Sequence, residues 1–418
     1  MLIVEGHEFI KQIGRRRYQA PAVAVKSVRE IVAAVKAEGD KAVIAYEKEF
    51  NTEPKSLMVS ETVAQKAVLG IDKQLRSALE LSLARIKDYH RQLPAPETRT
   101  AKVGKSEIIF KARPLERVGI YVPGGNARYP STVIMTATLA QVAGVKEIVL
   151  CTPPGPTGWP HAVTLAAATI CGVNKVFCCG GAQAIAAMAF GTETIEAVDK
   201  IVGPGNVFVT AAKKEVFGAV DIDGLAGPSE AMILLDPRVA AEVLNWCCWD
   251  LKAQAEHGLN SCCVLVTTNP EKAIQLAPQL KGVEGYIVIC SNWDQALEIV
   301  ESYAPEHLQL IGPGPESLAM KIKNAGAVFR GPLAAIAVGD YVAGPSHVLP
   351  TGGSARSFSG LWVGTFMKTY SVITIDPEEF PSLALAGSIL ANTEGFSCHA
   401  KSLILRRERL NIEGSKKN

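Results

Sequence analysis

The apolar positions of this chain follow two rhythms. Up to about residue 94 they recur at helical spacing. Val28, Ile31, Val32 and Val35 share one face, Ser27-Val28-Arg29-Glu30 reads as the capping box that opens it, and Gly39 ends it. Asp40 caps a second helix through Val43, Ile44 and Tyr46, and Leu75, Leu79, Leu83 and Ile86 form a longer one that Pro94 stops. Residues 1–17 read as a short helical arm with a basic end, Arg15-Arg16-Arg17. Short apolar runs then alternate with helical patterns. Strands are expected at 108–110, 118–122, 147–150, 175–178, 200–202 and 220–222, with helices at about 131–143 and 182–190 and two more before 175 and 220. The pattern restarts with strands at 231–235, 263–266, 286–289 and 307–311 and helices at about 239–256, 292–302 and 315–325. Strands that are apolar throughout and alternate with helices imply parallel sheets covered on both faces. The fold class is α/β, with two successive Rossmann-like parallel-sheet domains.

Composition narrows the function. A chain of 418 residues has room for two or more domains, and 48% apolar residues supply their cores. A net charge of +2 argues against a dedicated nucleic-acid binder. No apolar run is long enough for a membrane span, and the first residues lack the pattern of a signal peptide, so a cytoplasmic protein is expected. The ten cysteines include three vicinal pairs and no C-x-x-C, and they read as reduced core residues rather than ligands.

Polar chemistry concentrates in a few places. Glu306 and His307 are adjacent, behind Pro305, at a loop-to-strand junction where the alternation of a strand is broken. Against surface residues, the alternative is an acid–base pair. Three glycine-rich turns follow strands of the first sheet: Pro123-Gly124-Gly125-Asn126, Gly180-Gly181-Ala182-Gln183 and Gly203-Pro204-Gly205-Asn206. None completes G-x-G-x-x-G, yet together they suit a ligand that approaches the backbone closely, with phosphates at helix N-termini. Gln254 and His257 lie three apart at a helix end, so both can serve one metal, though a His offsetting the helix dipole is the default reading. Asp340, in a long Gly/Pro/Ser-rich loop over 339–360, and His399 add further ligand types that would suit zinc. His90 and His161 read as ordinary surface residues.

These segments resemble the histidinol dehydrogenase family over nearly the whole chain. The resemblance rests on Tyr121-Val122-Pro123-Gly124-Gly125, Val202-Gly203-Pro204-Gly205-Asn206, Ala226-Gly227-Pro228-Ser229-Glu230 and Gln254-Ala255-Glu256-His257. It continues in Ala304-Pro305-Glu306-His307-Leu308, Gly339-Asp340-Tyr341, His347-Val348-Leu349-Pro350-Thr351 and Glu394-Gly395-Phe396-Ser397-Cys398-His399. The resemblance implies one Zn2+ per subunit, held by Gln254, His257, Asp340 and His399. It implies substrate contacts from Ser229, His307, His347 and Glu394 as well as from the four metal ligands, and an NAD site lined by Tyr121, Gln183 and Asn206. Glu306 and His307 become the acid–base pair. It also implies a homodimer that exchanges a small C-terminal domain, so that Glu394 and His399 reach the partner's site. The implied division is an arm (1–17), a discontinuous α/β domain with the acid–base pair (18–120 and 231–362), a Rossmann-like NAD domain (121–230) and a swapped segment (363–418). The implied reaction takes L-histidinol through L-histidinal to L-histidine with NAD. The alternatives are a related zinc/NAD dehydrogenase for another small polar alcohol and a non-catalytic metal-binding α/β protein.

Overall fold

The computed structural model describes residues 1–14, 20–124, 128–258 and 260–415. The basic end Arg15-Arg16-Arg17, Gly125-Asn126 of the first glycine-rich turn and the last three residues of the polar tail lie outside the described residues. The chain forms two units, residues 1–93 with 115–366, and residues 94–114 with 367–418.

The first unit opens with β1 (Leu2–Glu5) and α1 (Gly6–Ile13), then α2 (Ala22–Glu38), α3 (Asp40–Phe50), α4 (Glu61–Gly70) and α5 (Lys73–Gln92). The arm is helical only from Gly6, because Leu2-Ile3-Val4 adds a parallel edge strand to the second sheet. Phe9 anchors it, fully buried with its ring centroid 5.2 Å from Tyr286 and 5.9 Å from Tyr303. The expected capping box is not one. Helix α2 begins five residues earlier, after Pro21, and its interior includes Ser27. Pro21 has a fixed φ suited to a helix entrance, and the alanines and valines after it carry the helix through Ser27.

After β2 (Arg99–Val103) and β3 (Ser106–Pro114), which belong to the second unit, come β4 (Arg117–Tyr121), α6 (Pro130–Ala143), β5 (Glu147–Thr152) and α7 (Ala162–Ile170). Next follow β6 (Lys175–Cys178), α8 (Gly181–Phe190), β7 (Lys200–Val202), α9 (Val207–Val216) and β8 (Asp221–Ile222). The sheet order is β6-β5-β4-β7-β8, parallel throughout. The order reverses between β4 and β7, so a crevice opens beyond their carboxyl ends. Gly203 sits in that crevice at φ +113°, and an added Cβ would lie 2.2 Å from the Tyr121 carbonyl oxygen. Only glycine lets these two strand ends close up in this way.

The second sheet uses β9 (Glu230–Leu235), α10 (Ala241–Ala255), β10 (Cys262–Thr267), α11 (Pro270–Leu276) and β11 (Gly285–Ile289). It continues with α12 (Trp293–Tyr303), β12 (His307–Ile311), α13 (Pro313–Glu316), β13 (Ala327–Arg330) and α14 (Ile336–Tyr341). Its order is β1-β11-β10-β9-β12-β13, again parallel, and its reversal falls between β9 and β12. Two expectations fail here. The helix at about 315–325 is only α13 and a 3-10 turn at Ala319–Lys321, since Pro313, Gly314 and Pro315 hold a single tight turn. The segment 339–360 is not loop from its start, because Ile336-Ala337-Val338 carries Asp340 and Tyr341 on α14.

The second unit is an antiparallel sheet, β14 (Met367–Thr374) with β3 and β2, followed by α15 (Phe380–Thr393) and α16 (Ser397–Ser415). The strand expected at 108–110 is therefore part of a separate small sheet. Among the described residues no helix is long and apolar enough to cross a membrane.

Candidate active site

The Glu306-His307 pair stands at the amino end of β12, beside the start of β9, where His307 is level with Ala231. The second sheet thus presents its amino edge, whereas the glycine-rich turns follow the carboxyl ends of the first. The chain reaches this point by a forced route. Ala304 ends α12 in the left-handed region, at φ 52°, and is the only described non-glycine residue with positive φ. Such a conformation costs about 1–3 kcal/mol and persists where its surroundings over-determine it. They do so here. The Ala304 N–H donates to the Val300 carbonyl at 2.8 Å, and Gly326 donates to Pro305 at 2.9 Å. The Arg356 guanidinium donates to the carbonyls of Glu301 and Ser302 at 2.6 and 2.7 Å.

Each member of the pair is fixed through one face and open on another. Glu306 accepts from the Ser229 hydroxyl and the Glu230 N–H at one oxygen, Oε2, both at 2.8 Å. Burial pushes its carboxyl up to about 7, against the pull of His307 and Ser229. The His307 Nδ1 lies 3.0 Å from the Glu230 carbonyl oxygen. A carbonyl only accepts, so Nδ1 carries the hydrogen and Nε2 keeps its lone pair. Nε2 has no hydrogen-bond partner, and Asp340 Oδ1 faces it at 3.6 Å as a charge. Burial alone would lower the imidazole pKa, but the Glu306 and Asp340 carboxylates outweigh it and raise the pKa.

Gln254 extends this network. Its amide Nε2 donates to Ser229 Oγ at 2.7 Å, leaving its Oε1 buried and without a partner. Gln309, two residues along β12 from His307, donates to Asp250 at 2.8 Å and so ties α10 to the strand. His257 falls just beyond the end of α10, exposed, with its N–H on the Gln254 carbonyl.

Asp340 and His347 form a second group. The His347 Nδ1 donates to the Asp340 carbonyl at 2.8 Å, which leaves Nε2 to accept from the Thr132 hydroxyl at 3.1 Å. Burial lowers this imidazole's pKa. The end of α14 is held by α5, whose Ser82 hydroxyl donates to the Tyr341 carbonyl and whose Arg85 Nε donates to that of Val342, each at 2.6 Å. Replacing both Ser82 and Arg85 by Ala is expected to cost about 1–3 kcal/mol of stability. It should also lower kcat/KM for the alcohol about tenfold through a displaced Asp340. Denaturant unfolding and initial rates read the two effects; unchanged kinetics would mean that α14 keeps Asp340 in place without them.

The turns of the first sheet are less available to phosphates than their sequences imply. Gly180 N–H donates to the carboxylate of Glu47, and Gly181 N–H donates to the Tyr121 hydroxyl at 3.1 Å. Gly203 N–H donates to Asp223, itself paired with the buried Lys213. Asn206 caps α9 through the N–H groups of Phe208 and Val209. Side-chain oxygens therefore occupy Gly180 and Gly181 at the start of α8 and the first turn of α9, and the carboxylates at Gly180 and Gly203 repel a phosphate there. Tyr121 and Gln183 are buried, Asn206 is exposed, and all three line one continuous cavity of about 1520 Å³. Ser229, Gln254, His257, Glu306, Asp340 and His347 line the same cavity.

Glu394 and His399 belong to the second unit. Glu394 ends α15, and His399 lies in the first turn of α16 with its ring 5.3 Å from that of Phe396; both are exposed. Among the described residues no three His, Cys, Asp or Glu side chains gather as a metal-holding group. Several supporting residues escaped the sequence reading. Glu47 was legible in principle, as a charge one helical turn after Val43 on the buried face of α3. Glu230, Ser82, Arg85 and Thr132 act through contacts with residues at least 76 positions away, which no local pattern reveals. His90 is buried rather than superficial, and burial lowers its pKa to about 4.

Two parallel sheets bordering one large cavity, with a buried carboxyl and imidazole side by side in its lining, define an α/β enzyme with an acid–base site. The family model for histidinol dehydrogenase matches residues 14–407. A histidinol dehydrogenase of Dehalococcoides mccartyi (strain CBDB1) is 44% identical over 400 residues, covering 92% of this chain and 91% of the relative. One from Moorella thermoacetica is 40% identical, covering 97% and 99%. The crystal structure of histidinol dehydrogenase from Elizabethkingia anophelis matches with a TM-score of 0.90 at 31% identity, covering 98% of each chain. The chain belongs to the histidinol dehydrogenase family.

Proposed function

We propose that the chain oxidises L-histidinol to L-histidine in two NAD-dependent steps, with His307 as the base in both and Glu306 as the activator of water in the second. The observation that carries this reading is the tautomer of His307. Its Nδ1–H is committed to the Glu230 carbonyl, so in the neutral ring Nε2 is the imidazole atom free to take a proton. In the first oxidation Nε2 takes the hydroxyl proton while a hydride leaves the carbinol carbon. When bound, NAD would supply the hydride acceptor, a fresh molecule for each oxidation. In the second step water adds to the aldehyde: Glu306, with a pKa near 7, takes the water proton at neutral pH while Nε2 returns its own proton to the aldehyde oxygen, which forms the hydrate and frees Nε2 again. Nε2 then takes the hydroxyl proton of the hydrate as the second hydride departs. Holding one substrate pose through both steps limits escape of the aldehyde.

The family implies zinc, and the residues present fit it in part. The buried, unpartnered Oε1 of Gln254 is an acceptor without a donor, as a metal ligand would be. With His257 and Asp340 it offers oxygen and nitrogen donors on one cavity wall. When bound, zinc would supply Lewis-acid polarisation and a fixed anchor for substrate nitrogen and oxygen. His399 is the proposed fourth ligand, from a partner subunit, with Glu394 joining Ser229 and His347 around the substrate. The exposed apolar residues of α15 support such a partner, with Leu383 and Leu390 on one side of the helix and Leu385 and Ile389 on the other. The ten cysteines are free, in keeping with a reducing cytoplasm.

Zinc-loaded protein given limiting histidinol should form about two NADH per substrate, since each oxidation transfers one hydride. Chelation should abolish this and zinc restore it. One NADH with a stable aldehyde, or a clearly higher kcat/KM for an alcohol without an imidazole, would overturn the reading.

A further inference from the structure

Helix α3 lies in a stretch whose sequence reads as scaffold, yet it sets a fully buried carboxylate directly behind Gln183 and Asn51, which line the cavity. Glu47 is at 0% exposure. Its Oε1 accepts from Gly180 N–H at 2.6 Å and from Gln183 Nε2 at 2.7 Å, and its Oε2 accepts from Asn51 Nδ2 at 3.0 Å. All three partners are donors, as an ionised carboxylate requires. A carboxamide otherwise has two nearly equivalent orientations, and its surroundings select one. Beside Glu47 only one is tolerable, because a flipped Gln183 would set its carbonyl oxygen against a buried anion.

We propose that Glu47 is a positioning residue for the dinucleotide: it locks Gln183 with its amide nitrogen inward, so that the carbonyl oxygen faces the cavity as a hydrogen-bond acceptor. The inference rests on the reading of Gln183 as a cofactor contact. It adds the chemistry of what Gln183 meets. An acceptor takes a ribose hydroxyl or a carboxamide N–H and turns away a phosphate oxygen. The same carboxylate occupies the Gly180 N–H at the start of α8 and sets a negative charge beside that helix end, which disfavours a diphosphate there. Gln183 Oε1 lies 2.7 Å from where a Gly181 Cβ would stand, a space that only glycine leaves open.

The test is a mutant cycle on NADH binding, measured by titration of nucleotide fluorescence, with initial rates alongside. Gln183→Ala is expected to weaken NADH about tenfold; if it does not, the reading of Gln183 fails, whatever Glu47 does. Glu47→Leu, which removes the oxygen shared by Gly180 and Gln183, should weaken NADH by about fivefold to tenfold and raise KM for NAD. Its KM for histidinol and its kcat at saturating NAD should stay near the original values. In the Gln183→Ala background Glu47→Leu should have no further effect on NADH. Equal weakening in both backgrounds, or none in either, overturns the proposal. Should Glu47→Leu fail to fold, Glu47→Asp, which draws the carboxylate back by one methylene, takes its place with the same expectation in both backgrounds. The same two outcomes overturn the proposal.

Discussion

Replacing Glu306 by Gln is expected to separate the two oxidations. Gln keeps the shape, and its carbonyl oxygen can still accept from the Ser229 hydroxyl and the Glu230 N–H that converge on Oε2. It cannot take a proton. Oxidation of supplied histidinal should fall by about 10²–10⁴, the usual range for loss of a general base, or about 3–5 kcal/mol of barrier. Oxidation of histidinol to the aldehyde needs only the His307 base and should fall less. It should still fall, because the Glu306 charge helps to hold the His307 pKa up, and a weaker base follows its removal. A rapid-mixing experiment with limiting histidinol should then show one fast and one slow equivalent of NADH. Stability should not suffer: burial already pushes this carboxyl to about 7, so a neutral isostere removes a desolvation cost. Equal loss in both steps would assign Glu306 to substrate binding instead.

The junction that carries this pair was readable because Pro305 and the apolar run after it are local signals. Strand β12 begins at His307, as the break in alternation implies. The alternation of strands and helices likewise reads out as two parallel sheets. What local pattern does not carry is which edge of a sheet a residue lands on. Ser229, Glu230, Glu306 and His307 cluster at the amino edge because β9 and β12 are neighbours across the reversal, a fact of long-range pairing. The same limit explains the turns. Gly180-Gly181 and Gly203-Pro204-Gly205 look like open phosphate cradles until Glu47 and Asp223, distant in sequence or a strand away, are seen to fill them. Asp340 was assigned to loop because glycines and prolines dominate its neighbourhood, whereas three apolar residues before it and two side chains of α5 make it helical.

The proposed exchange of the second unit between subunits predicts activity from two dead proteins. His307→Asn removes the base nitrogen and should lower both oxidations by about 10²–10⁴. His399→Asn removes a proposed zinc ligand and should leave activity and zinc content comparably low, since loss of a ligand disables a metal site. Unfolding the two variants together and refolding them lets subunits reassort. If each site joins His307 of one chain with His399 of the other, a mixed dimer has one site with both defects and one with neither. Random pairing makes half the dimers mixed, so activity should return to about a quarter of the original, while zinc, held wherever His399 is intact, stays at about half. If instead each chain supplies its own His399, every site in every dimer keeps one defect and mixing restores nothing. The His307→Asn protein alone should refold to its starting low rate, which excludes recovery from refolding itself. The exposed leucines of α15 give a second handle on the same interface. Leu385→Glu with Ile389→Glu should shift the protein to a monomer on sizing and abolish the recovery, because two buried charges in an apolar contact cost several kcal/mol.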